Sequence, residues 1–89
     1  MLPGLTEEQK LYLQKRYEFY LKLTIRAWES FENSGELFYL HLMFHRQASA
    51  SCLMDIANCN GSHLQRAADE CYFKGLDVMN DVRKKWKNG

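Results

Sequence analysis

Wound on an α-helix at about 100° per residue, His41, His45, Cys52 and Cys59 fall within about 40° of one another. Imidazole and thiolate are ligands that zinc selects, so this stripe raises the question of a metal site. His41 and His45 stand four apart, a spacing at which two histidines on one helix face can chelate one ion. Cys52 lies seven residues further on. That is about 10 Å along the axis, too far for one ion with bonds of about 2.0 to 2.3 Å. The segment His-Leu-Met-Phe-His also lacks the glutamate that serves as general base between the paired histidines of zinc proteases. His41 and His45 therefore rank as weak metal candidates, expected instead to sit at a helix interface, and no cofactor is expected.

Thiol catalysis is the next chemistry to weigh. Cys52 or Cys59 with His45 or His63 would supply a Cys–His pair. A cysteine carried on a helix among Ala48, Ser49, Ala50 and Ser51, however, reads as a small buried apolar side chain rather than an activated nucleophile. Cys52, Cys59 and Cys71 are odd in number and sparse, which excludes a disulfide framework and predicts reduced thiols. No glycine-rich phosphate loop or nucleophile elbow occurs, and Glu7-Glu8 and Asp69-Glu70 fall in first or early helix turns, where carboxylates favour the helix dipole. No catalytic residues are expected.

Three helices must position whatever these residues do. Thr6-Glu7-Glu8-Gln9 and Ser62-His63-Leu64-Gln65 both fit the capping box and mark helix starts. Asn33-Ser34-Gly35 and Asn58-Cys59-Asn60-Gly61 mark breaks, since Asn and Gly enter the left-handed region that ends helices. The single proline, Pro3, precedes the first cap. The spacing predicts helices over 7–32, 36–58 and 63–87 within one helical domain spanning 1–89. With short turns these rods form an all-α, up-down-up antiparallel bundle, with an intertwined dimer as the alternative.

In the first helix Leu13, Tyr17, Tyr20, Thr24, Trp28 and Phe31 form an apolar face, flanked by a narrower line of Tyr12, Phe19 and Leu23. In the third, Leu64, Ala68, Cys71, Gly75, Val78, Val82 and Trp86 recur at steps of three or four. Residues 36–58 carry only three formal charges, Glu36, Arg46 and Asp55, so the middle helix is expected to be surrounded by protein. The run 48–52 and the line Ala67, Cys71 and Gly75 are small. If the second turn reverses the chain, positions summing to about 120 face each other, which predicts a tight small-on-small crossing of the second and third helices.

Twelve basic against eleven acidic residues leave a net charge of +1, which supplies no overall field to draw nucleic acid or an anionic membrane. The nearly uncharged run 37–44 is far short of the roughly 20 apolar residues that cross a bilayer, and the first residues carry Glu7, Glu8 and Lys10 rather than a secretory pattern. A cytoplasmic, soluble protein is the expectation. Aromatic residues make up 13% of the chain, more than one small core encloses easily. Tyr12, Phe19, Phe38 and Tyr39 are the candidate contact residues. The favoured function is a non-enzymatic interaction protein, an adaptor, chaperone-like factor or inhibitor of the kind mobile elements encode, binding a protein partner or itself as a homodimer. The second reading is nucleic-acid association through Arg83, Lys84, Lys85 and Lys87 around Trp86, and the third is the His/Cys face.

Overall fold

The computed structural model describes residues 4–57, 59 and 63–88, apart from the side chains of Ile56, Lys87 and Asn88. Helix α1 spans Glu7–Ser34, α2 Leu37–Ala57 and α3 His63–Asn88. Among the described residues there is no strand, and the fold is an all-α three-helix bundle. Its radius of gyration, 15.3 Å, exceeds the roughly 12 Å of a rounded chain of this length, as long rods packed side by side require.

The ends follow their sequence signals. Gln9 N–H donates to Thr6 Oγ1 at 3.1 Å and Thr6 N–H to Gln9 Oε1 at 2.9 Å, closing the capping box. Gly35 ends α1 in the left-handed region (φ 72°), its N–H donating to Phe31 O at 2.7 Å. Ser34 Oγ donates to Ser30 O at 2.8 Å and accepts from Glu36 N–H at 3.2 Å, so one hydroxyl ties the end of α1 to the start of α2. In the second expected break, Asn58, Asn60, Gly61 and the cap Ser62 lie outside the described residues.

Two buried clusters hold the helices together. The first joins Tyr17 and Leu21 of α1 to Ala50 and Ala57 of α2 and Ala68 of α3, with Cys59 beside them. The second joins Ala27 and Trp28 to Leu40, Met43 and Cys71. Residue numbers rise together in α1 and α3 and oppose those of α2, which is the up-down-up order. Tyr17 Oη donates to Gln65 Oε1 at 2.8 Å and stitches α1 to α3. Leu21, at 1% exposure, belongs to this core although it stood outside the expected apolar face, even though it is four residues past Tyr17.

The tight small-on-small crossing is corrected. α1 lies closest along α2, less along α3, and α2 and α3 approach each other least. The antiparallel register is near the expected one: Phe44 stacks edge-on against Tyr72 at 5.6 Å, and Gln47 Nε2 donates to Asp69 Oδ1 at 2.9 Å. Long side chains make these contacts, however, so the axes stay apart. The small residues do another job. Ala50 and Ala68, fully buried, make room for Tyr17 of α1, so small faces large across the bundle. Gly75 is a close-approach site, but what it admits is the side chain of Met43, with Phe44 and Leu40 next to it.

Candidate functional site

The His/Cys stripe does not assemble. α2 ends at Ala57, so Cys59 leaves the helix, and it is buried while His41, His45 and Cys52 are exposed. The exposure of Cys52 corrects its expected burial, and the histidine pair faces solvent because the neighbouring α3 stands off. Among the described residues, no three His, Cys, Asp or Glu side chains are placed to hold a metal ion. His63 is exposed at the first turn of α3. Cys59 Sγ donates to Leu53 O at 3.7 Å. Burial pushes the Cys59 thiol above its ordinary value, with Glu18 adding to the effect. Burial likewise raises Cys71, against a smaller opposing pull from Lys74. Both thiols are thus held in the protonated form, the opposite of what a thiolate nucleophile needs.

The aromatic candidates have clearer positions. Tyr12 is 62% exposed and Phe38 64% exposed, and Tyr39, stacked on Phe38 at 5.4 Å, is half-buried. Phe19 is 45% exposed but already engaged, since the Arg16 guanidinium lies 5.1 Å from the ring centroids of both Phe19 and Tyr20. The four do not form one patch in sequence or on one helix. Arg83, Lys84 and Lys85 are exposed around an outward Trp86, while the side chain of Lys87 lies outside the described residues. Trp86, expected on the apolar face of the third helix, stands clear of the core because α3 runs past its packing partners.

A concavity opens where α2 and α3 stand apart, a groove of about 590 Å³. Its α2 wall is the line His41, Phe44, Ala48 and Ser51; its α3 wall centres on Phe73, Leu76 and Met79. Phe73 is 63% exposed and Leu76 36% exposed. Phe44, Tyr72 and Phe73 stack edge to face in sequence across the groove. Asp69 stands at one end and Arg83 at the other, and Gln47 Oε1 is buried without a hydrogen-bond partner among the described residues. Sequence reasoning missed the α3 wall of this site. The signal was present in Phe73, Leu76 and Met79, a second apolar line of three-residue steps beside the core stripe of α3. No family model, curated protein or solved structure matches the chain. Among the described residues, no helix is long and apolar enough to cross a membrane.

Proposed function

We propose that this is a small, non-enzymatic helical interaction protein of the cytoplasm, acting by surface contact with another protein chain as an adaptor, chaperone-like factor or inhibitor. The observation that carries the reading is the α2–α3 groove, in which exposed Phe73 and Leu76 run continuously into half-buried Phe44, Tyr72 and Met79. A contiguous apolar concavity with polar ends is the form that helix-binding surfaces take, unlike single apolar side chains scattered on a surface. Exposed Tyr12 and Phe38 extend the contact area at the other faces. The test is a photoreactive phenylalanine analogue placed singly at Tyr12, Phe19, Phe38, Tyr39 and Phe73 in the native host. A discrete protein adduct at one or more positions is expected. Absence of a protein adduct at all five refutes the reading.

The exposed cations Arg83, Lys84 and Lys85 around Trp86 favour a second reading, in which the end of α3 grips phosphates and stacks on a base of single-stranded nucleic acid. Fluorescence anisotropy with DNA and RNA oligonucleotides over a salt series tests it. Replacing Lys84 and Lys85 by Ala lowers the slope of log affinity against log salt by about 1.4, at about 0.7 per phosphate contact on a single strand. Binding that is absent, or indifferent to salt, removes this reading.

A further inference from the structure

The α3 wall of the groove is arranged about a centre. Leu76 is flanked three residues away by Phe73 and Met79, four residues away by Tyr72 and Asn80, and seven residues away by Asp69 and Arg83. Position pairs at three, four and seven residues are what any single helix face contains. The outermost pair is not required by geometry: it is one carboxylate and one guanidinium, at equal distance from the centre and opposite in sign.

Resting on the reading of this groove as a protein-binding surface, we propose that its occupant is α3 of a second copy of this chain, docked antiparallel about a two-fold axis through Leu76. The operation sets residue n of one copy against residue 152 − n of the other, as the sum of each pair about Leu76 requires. Leu76 meets its own symmetry mate. Phe73 meets Met79, a sulfur-to-ring contact that is favourable in its own right. Asp69 meets Arg83 twice, at the two ends of the contact, and these pairs close the polar rim around an apolar centre. A parallel docking would set Asp69 against Asp69 and Arg83 against Arg83, so the charges select direction as well as partner. From Asp69 to Arg83 is fourteen residues, about 21 Å of helix. In this arrangement each α3 also lies along the uncharged α2 line of the other copy, His41, Phe44, Ala48 and Ser51, and the two α2–α3 hairpins complete a four-helix layer. Asp69 keeps its bond to Gln47 through Oδ1, leaving its second oxygen for the arginine.

Sedimentation equilibrium on the purified full chain reads the outcome. The wild type gives a discrete dimer mass that dissociates on dilution. Asp69→Lys alone and Arg83→Glu alone each set like charges together at both ends of the contact and weaken the dimer at least about tenfold. Mixing the two variants restores attraction at both ends, Lys against Glu and Arg against Asp, and brings association back to within about threefold of the wild type. The rescue by mixing cannot come from a folding defect, because neither variant is repaired by dilution into the other unless they meet. A monomer at all concentrations, a larger assembly, or single variants that dimerise as well as the wild type each overturn the proposal. A monomeric wild type that still forms adducts with a different protein from Phe73 overturns the self-pairing and leaves the interaction reading standing; a monomer without adducts ends both.

Discussion

Gly75→Ala separates two accounts of α3. If Gly75 were a surface glycine merely tolerated in a helix, alanine would stabilise the protein by about 1 kcal/mol through propensity alone. The structure predicts the reverse sign. A methyl group at Gly75 falls on Met43 Cε and lies 3.3 Å from Phe44 Cζ and 3.4 Å from Leu40 Cδ2. Met43 and Leu40 are both fully buried, so the methionine tip must leave its position inside a packed cluster rather than swing into water. Overpacking of this kind costs about 1 to 3 kcal/mol, and subtracting the propensity gain leaves a net loss between about 0 and 2 kcal/mol, about 1 kcal/mol at the midpoint. For a chain of this size that lowers Tm by about 4 to 8 °C. Urea unfolding followed by far-UV circular dichroism, at one fixed protein concentration so that association does not enter, measures the difference. Met43→Leu shortens the clashing tip at a cost below about 1.5 kcal/mol, and in that background Gly75→Ala should be neutral or stabilising. A wild-type background in which Gly75→Ala gains about 1 kcal/mol, or a double variant with no coupling between the two sites, refutes the close approach.

Leu40→Ala, at a site with 0% exposure in the second core cluster, should cost about 2 to 5 kcal/mol in the same urea assay, enough to leave the bundle marginal. Gly35→Ala should cost about 1 to 2 kcal/mol with no steric contribution, because φ is +72° and no atom lies within 4 Å of the added methyl; Gly35→Asn should recover part of the loss. Burial raises the pKa of Tyr17, with Asp69 and Cys59 adding to it, and burial also raises those of Cys59 and Cys71. Groups whose folded-state pKa lies above the unfolded value contribute stability that is complete below the unfolded value and is lost as pH rises through the folded one. The urea midpoint should therefore hold up to the ordinary thiol range near 9.0 and fall above it, and Tyr17→Phe should flatten the part of the fall above 10. A midpoint that stays constant or rises from pH 8 to 11 contradicts this.

Helix number, order and the two ends of α1 were legible because they depend on local chemistry. The hydroxyl and amide of Thr6 and Gln9, and the conformational freedom of Gly35, act within a turn of where they sit. The antiparallel register of α2 and α3 was nearly legible for the same reason, since a short connection leaves little slack. Which helices press together was not. A run of small residues reads equally as a site for a close backbone or as a socket for a large side chain, and only Tyr17, from a helix remote in sequence, decides between them by filling the space beside Ala50 and Ala68. The His41, His45 and Cys52 stripe failed as a site for a related reason: periodicity says that side chains share a face, and nothing about whether another element arrives opposite to complete a coordination sphere.

The same ambiguity explains what was right and wrong about the middle helix. A helix packed along part of its circumference carries charge on the rest, as α3 does at Lys74, Asp77 and Lys84, all exposed. α2 does not behave this way. Leu40, Met43, Ala50 and Ala57 are buried against the rest of the bundle, while the adjoining line of His41, Phe44, Ala48 and Ser51 is free of carboxylates and ammonium groups and lies along an open groove. Charge on that line would cost a monomer nothing, because exposed lysine and glutamate are well solvated and helix-compatible. Its absence is what a line covered in the proposed dimer would show. In the dimer proposed above, a second α3 laid along the groove would desolvate this line, match the aromatic and sulfur surface at its centre and set opposite charges at both ends, and the charge-poor helix would then be a feature of the assembly rather than of one chain.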